Sequence, residues 1–176
     1  MQKQIIDLKS EIRDVPDFPK KGIIFKDLTT AFKKPEVFNY IVDSIYDKYK
    51  DSGVTKVVSI ESRGFIVGSI LAYKFNAGFI PVRKPGKLPA DTYKQSYDLE
   101  YGTDTLEIHK DALCENDVVL IHDDLLATGG TALATINLIK HFDIKSFSVC
   151  FICELEFLKG RERLSDLTEI FSLVKF

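Results

Sequence analysis

The chain is poor in cysteine, in long apolar runs and in excess charge of either sign, and each shortage removes a class of protein. Its three cysteines are too few and odd in number for a disulfide framework, which suits a reducing compartment. No apolar run approaches the roughly 20 residues of a membrane-crossing helix, and residues 1–7 hold no apolar stretch of the kind a secretion signal needs. The expectation is a cytoplasmic protein that engages no membrane. A formal charge of −2 gives no electrostatic reason for nucleic acid as a partner, so any affinity for phosphate must be local. Also missing are a dinucleotide-type glycine fingerprint, a Walker-type lysine loop, an internal repeat and any low-complexity segment.

What is there reads as an ordinary folded chain of 176 residues, 45% hydrophobic and 28% charged, long enough for one well-buried core and short for two domains. Ile5, Leu8 and Ile12 recur at helical spacing and predict a helix over residues 4–13, ended by Pro16. Pro35 suits the first turn of a helix whose apolar face is Phe38, Ile41, Val42, Ile45, Tyr46 and Tyr49, closed by Gly53. Strands are predicted over residues 54–60, 78–82, 105–109, 118–121, 145–153 and 171–176, with helices over 66–75 and 132–139. Strands alternating with helices imply an α/β fold, a central, mostly parallel sheet flanked by helices. Cys150 and Cys153 have the spacing of a zinc or redox pair. A strand points residues three apart to opposite faces, however, and no second ligand pair exists, so neither chemistry is expected there.

The most informative stretch is 118–131. Val118, Val119, Leu120 and Ile121 are apolar and three of the four are β-branched, as in a strand buried on both faces; Asp123 and Asp124 follow at its carboxyl end. Ala127, Thr128, Gly129, Gly130 and Thr131 then form a small, hydroxyl-rich turn into a helix. Unpaired N–H groups at a helix start favour a phosphate, and glycines let the backbone approach it. Two aspartates beside such a site must face something neutral or cationic, either sugar hydroxyls or the hydration shell of Mg²⁺. A phosphorylated ribose satisfies both halves.

Two further segments carry chemistry. Arg63, on the turn after the strand at 54–60, is a fixed fork suited to a diphosphate; as a plain surface residue it would oppose the helix dipole there. The 22 residues 83–104 lack apolar periodicity, and a loop of that length is usually functional. Its Arg83, Lys84, Lys87 and Lys94 can meet phosphates while Tyr93, Tyr97 and Tyr101 can cover a ring, which suggests a flexible lid.

The stretch 118–131 resembles the 5-phosphoribosyl-1-pyrophosphate (PRPP) motif of the type I phosphoribosyltransferases, and the similarity runs over essentially the whole chain, in segments found in the members that act on adenine. His122 stands where another aliphatic residue is expected, a mild departure if this last strand residue points to solvent. Val15, Pro16, Asp17, Phe18 and Pro19, with Gly22, Ile23, Ile24, Phe25, Lys26 and Asp27, resemble the small hood that covers the purine. The resemblance implies that Phe25 stacks on the base, that the Ile24 backbone bonds its edge, and that Leu155 packs on its other face. Lys26 replaces a frequent arginine, so no bidentate contact is expected of it. The hood would comprise residues 15–30 and 154–176 and the lid 83–104, within one domain over 1–176.

By the same resemblance Ser62, Arg63 and Lys87 bind pyrophosphate, with a cis peptide between Glu61 and Ser62. Glu100, in a segment matching Tyr97, Leu99, Tyr101 and Gly102, would be the acid/base. Asp123 and Asp124 would hold the ribose hydroxyls, and Ala127, Thr128, Gly129, Gly130 and Thr131 the 5-phosphate. Mg²⁺ is the implied cofactor, bound mainly through PRPP oxygens and water, with Asp123 and Asp124 as candidate ligands. The implied reaction joins adenine to PRPP, giving AMP and pyrophosphate, in a homodimer. Two alternatives stay open. One is a transferase for hypoxanthine, guanine or xanthine, sharing the PRPP site. The other is a non-catalytic PRPP or nucleotide sensor, against which stand the matched lid glutamate and the lack of a basic face.

Overall fold

The computed structural model describes residues 6–98 and 102–176. Its elements follow as α1 (Leu8–Glu11), β1 (Arg13–Pro16), β2 (Ile24–Asp27), α2 (Thr29–Phe32), α3 (Pro35–Tyr49), β3 (Lys56–Ile60), α4 (Gly64–Phe75) and β4 (Gly78–Val82). After these come β5 (Thr92–Asp98), β6 (Thr103–His109), β7 (Val118–Leu126), α5 (Gly130–Ile139), β8 (Ser146–Glu154) and β9 (Ile170–Lys175), with 3-10 turns at Glu156–Leu158 and Gly160–Arg163.

The apolar runs read from the sequence become a five-stranded parallel sheet in the order β4-β3-β7-β8-β9, with β7 at its centre. A strand covered on both faces needs apolar residues at consecutive positions. Val57, Leu120, Cys150 and Ile152 face the core under α3 and α4, whereas Val58, Val119, Ile121, Val149 and Phe151 face the core under α5. This α/β sheet flanked by helices is the predicted fold.

Three expectations are corrected. Among the described residues the helix predicted over 4–13 is only the turn α1, with Asp7 accepting the Lys9 N–H at its start, because Arg13–Pro16 pairs with Ile24–Asp27 as an antiparallel ribbon. Arg13 gains a ladder partner and an ion pair with Asp27, and Pro16, which lacks an N–H, sits at the ribbon's end. The segment 83–104 is not without regular structure either. Its second half pairs Thr92–Asp98 with Thr103–His109 in a second antiparallel ribbon, so β6 starts at Thr103 rather than 105.

The third correction concerns His122. β7 does not stop at residue 121 but runs to Leu126, and it is flanked by β3 and β8. A residue in the middle of such a strand has no solvent side. His122 is fully buried, in register with Ser59 on β3 and Cys150 on β8, with its Nδ1 3.4 Å from Cys150 Sγ and its Nε2 without a partner. Small neighbours make the room: a Cβ on Gly68 of α4 would lie 1.8 Å from Ser59 Oγ and 3.4 Å from the His122 ring. The cysteine of this set, like Cys153, is a buried free thiol.

Burial keeps the His122 imidazole neutral, taking its pKa from 6.5 down to about 4. Between those values the unfolded chain binds a proton that the folded one does not. The contribution to stability is therefore complete above pH 6.5 and falls as the pH drops towards 4, by roughly 3 kcal/mol at the limit. The substitution His122→Val removes this linkage and an unpaired buried nitrogen. Denaturant midpoints of both proteins between about pH 4.5 and 7 should diverge in favour of the variant as the solution is acidified; parallel curves would contradict the assignment.

Candidate active site

β7 carries its two carboxylates to the edge of the sheet, and the chain then turns tightly into α5. Gly129 makes the turn, at φ +80° in the left-handed region that disfavours side chains, and its carbonyl accepts the Leu133 N–H at 2.9 Å as α5 begins. Ala127, Thr128, Gly129, Gly130 and Thr131 wrap a small cavity of about 60 Å³ at the amino end of the ten-residue helix. That end is positive and its first N–H groups are unpaired within the helix, the surroundings an anion requires.

A wider cleft of about 360 Å³ adjoins it, and the two share Asp123 and Thr131. Ser62 and Arg63, Asp124, and Lys84, Tyr97 and Asp104 from the segment predicted as a lid line its other sides. The structure thus brings Asp123, Asp124, the 127–131 turn, Ser62 and Arg63 around two adjoining cavities. The Glu61–Ser62 peptide is cis, as the resemblance implied.

The electrostatics of this space centre on the acidic pair. Asp124 is buried, and Arg63 Nε approaches its Oδ2 to 2.6 Å. Burial raises the Asp124 pKa, and the Arg63 charge opposes that rise without cancelling it. Asp123 accepts the Asp124 N–H at 2.9 Å and is driven well above the usual carboxylate range, first by desolvation and then by the Asp124 charge. Arg63, expected as a free fork, is already engaged; its guanidinium carbon also lies 5.2 Å from the Phe25 ring centre, tying the β1–β2 ribbon to the cleft.

Other predicted residues lie less directly. Lys87 does not line the cleft but pairs with buried Glu61, which also accepts the Lys84 N–H at 2.9 Å and faces Arg83 Nε at 3.2 Å. Burial alone would raise the Glu61 pKa, but Lys87, the Lys84 N–H and Arg83 together hold it below the ordinary value. Lys84 pairs with Asp104 and Lys94 with Glu107, so all four basic residues expected to be free for phosphate have acidic partners. Tyr93 stacks on His141 at 4.4 Å instead of covering a ligand; Tyr97 lines the cleft. Glu100 and Tyr101 lie outside the described residues.

On the hood side Ile24 is exposed, and Phe25 is half-buried with its ring 5.2 Å from that of Phe18. Leu155 is mostly buried in the core beneath the hood, and its N–H donates to Leu126 O at 2.9 Å. Lys26 pairs with Asp14 at 2.6 Å and sits over the Phe176 ring. Sequence reasoning missed Glu61 and Asp104 as members of the site. The signals were slight: an acid next to the Ser62 turn, and another at the start of β6. Among the described residues no three His, Cys, Asp or Glu side chains form a metal cluster.

Comparison with known proteins gives a consistent set of relatives. Residues 31–174 match the family model described as "Phosphoribosyl transferase domain". The chain is 56% identical over 167 residues to an adenine phosphoribosyltransferase of Bacteroides thetaiotaomicron, covering 95% of each chain. It superposes on the crystal structure of adenine phosphoribosyltransferase from Thermoanaerobacter pseudethanolicus with a TM-score of 0.92 at 49% identity, covering 97% of this chain and 98% of the other. The Giardia lamblia enzyme, crystallised with 9-deazaadenine, matches with a TM-score of 0.92 at 44% identity, over 97% and 96% of the two chains.

Burial first, and the Asp124 charge second, disfavour a charged carboxyl at 123, so Asp123→Asn should be stabilising. The asparagine keeps the Oδ1 acceptor for the Asp124 N–H and brings no charge to desolvate. Thermal melting at neutral pH should show a midpoint higher by roughly 3 °C, the shift about 1 kcal/mol gives in a chain of this size. A lower midpoint would mean that the Asp123 carboxylate is stabilising where it stands.

Proposed function

The chain belongs to the phosphoribosyl transferase family, and from that membership we propose that it catalyses displacement of pyrophosphate from C1 of PRPP by N9 of adenine, yielding AMP in purine salvage. One observation carries the proposal beyond its relatives. An anion cradle and a cleft lined by the acidic pair adjoin at Asp123 and Thr131, matching a ligand with a phosphate at one end and a sugar diol beside it.

In this reading Ala127, Thr128, Gly129, Gly130 and Thr131 hold the 5-phosphate with main-chain N–H groups and threonine hydroxyls. Asp123 and Asp124 take the ribose hydroxyls, which donate to carboxylate oxygens. Ser62, Arg63 and Lys87 receive the pyrophosphate. Its negative charge competes with Asp124 for Arg63 and with Glu61 for Lys87, so binding proceeds by exchange of ion-pair partners. Cleaving the C1–O bond builds positive charge on the sugar, which the neighbouring carboxylates stabilise. Phe25 and Leu155 sandwich adenine, the Ile24 backbone bonds its edge, and Glu100 carries the purine proton.

The donor set also fits Mg²⁺. Asp123 and Asp124 offer hard oxygens, and a cation would offset both the desolvation and the Asp124 charge that drive the Asp123 pKa up. PRPP oxygens and water complete its shell. When bound, it supplies charge neutralisation to the diphosphate.

We further propose one domain over residues 1–176, with its hood at 15–30 and 154–176 and its lid at 83–104, acting as a cytoplasmic homodimer. Free thiols support the reducing compartment. Exposed Ile66 and Tyr73, seven apart on α4, support a second copy as the cover for that face.

Incubating the protein with adenine, PRPP and Mg²⁺ should yield AMP, and adenine should outcompete hypoxanthine, guanine and xanthine when all are present. Preferential formation of another nucleotide would move the assignment to a different purine, and no nucleotide at all would remove the enzyme. Replacing the acid/base, Glu100→Gln, is expected to lower kcat about 100-fold or more with the KM for PRPP changed only slightly. Full turnover by this variant would withdraw the role of Glu100.

A further inference from the structure

The 127–131 turn is not shaped by its own residues alone. Its outer side rests on the main chain of the 3-10 turn Gly160–Arg163, and the fit leaves no room for a Cβ at Gly129 or at Gly160. A Cβ on Gly160 would lie 2.2 Å from Ala127 O, 2.9 Å from Gly129 N and 3.0 Å from Thr128 C; a Cβ on Gly129 would lie 2.7 Å from Gly160 O. All of these are backbone atoms, which cannot rotate away as the end of a side chain could. The two glycines differ in one respect. Gly129 has a positive φ and Gly160 does not, so glycine is needed at 160 for the contact and not for backbone conformation.

The segment that presents Gly160 is clamped at a fixed height. Arg161 places Nε 2.8 Å and Nη2 2.5 Å from the two carboxylate oxygens of Glu154, donates from Nη1 to Ile170 O at 2.9 Å, and reaches Ser172 Oγ at 3.2 Å. Glu154 is buried at the end of β8, and Ile170 and Ser172 belong to β9. The guanidinium thereby fixes the 3-10 turn to β8, the neighbour of β7, and to β9 beyond it. A fork with paired acceptors does this where a lysine could not.

We propose that Gly160, held by the Arg161–Glu154 clamp, is a positioning residue for the phosphate turn: its bare backbone sets where Ala127, Thr128 and Gly129 stand, and hence where the N–H groups meet the 5-phosphate. The inference rests on the reading of that turn as the 5-phosphate cradle. An added methyl at 160 must push the two backbones apart by on the order of 1 Å to reach ordinary contact, a displacement that costs about 100-fold when it misplaces a bound group. Leu155, anchored through its N–H to Leu126 O ahead of the turn, is left in place.

The test uses the full-length protein and two probes, ribose 5-phosphate for the cradle and pyrophosphate for the Ser62–Arg63 side, titrated by calorimetry beside steady-state kinetics. Gly160→Ala should weaken ribose 5-phosphate about 10- to 100-fold and raise the KM for PRPP in parallel, with pyrophosphate affinity and the KM for adenine within about twofold of wild type. Unchanged ribose 5-phosphate binding, or equal weakening of both probes as general loosening would give, overturns the proposal. Arg161→Lys keeps the charge, loses the fork and leaves Gly160 in place; it should give the same selective loss at smaller amplitude, and it decides the matter should Gly160→Ala fail to fold. Wild-type binding by Arg161→Lys counts against the clamp. A wild-type protein that binds ribose 5-phosphate but makes no AMP refutes the proposed reaction and leaves this comparison readable, whereas one that binds no ribose 5-phosphate overturns both.

Discussion

Two carboxylates on adjacent residues, at the end of a strand with no free edge, are the constraint around which this molecule is arranged. Unit charges of like sign about 4 Å apart repel by roughly 4 kcal/mol at the effective dielectric of a protein surface, and desolvation adds to that cost. The free protein answers with Arg63 on Asp124, while burial and the Asp124 charge push the Asp123 pKa well above the ordinary carboxylate range. A ligand relieves both: a sugar diol donates to the same oxygens, and a diphosphate takes the guanidinium. A site that is poorly satisfied when empty gains most when filled, and the nearby helix terminus decides which end of the ligand carries the phosphate.

The same pattern extends outwards. Glu61 holds Lys87 and Arg83, Asp104 holds Lys84, and Glu107 holds Lys94, so the cations near the cleft are stored on internal acids. This reconciles a basic neighbourhood with a net charge of −2, and it keeps a phosphate site from becoming a general polyanion surface. Rigidity comes from the sheet. β3, β7 and β8 end side by side, and they set the Ser62 turn, the acidic pair and the segment that braces the phosphate turn in one row.

How much was legible in the sequence follows from which interactions are local. Runs such as Val118 to Ile121 announce a strand covered on both faces, and the Asp-Asp and Thr-Gly-Gly-Thr order announces the site, because each depends on residues adjacent in the chain. His122 was misjudged because its burial is decided by Ser59, Gly68 and Cys150, none of them near it in sequence. Of the two antiparallel ribbons only residues 105–109 were read as a strand; β1 was read as the helix end and the start of the hood, β2 as hood and β5 as lid, since their alternation is weak. Gly160 stood inside a recognised segment, yet only the fold shows what its missing side chain leaves room for.

A crystal structure with ribose 5-phosphate bound tests the central claim most directly. The account predicts the phosphate on the main-chain N–H groups of residues 127–131, the ribose hydroxyls on Asp123 and Asp124, and Arg63 drawn off Asp124 towards the cleft. A ligand seated elsewhere, or a phosphate turned away from the amino end of α5 with the Arg63–Asp124 pair intact, would contradict it.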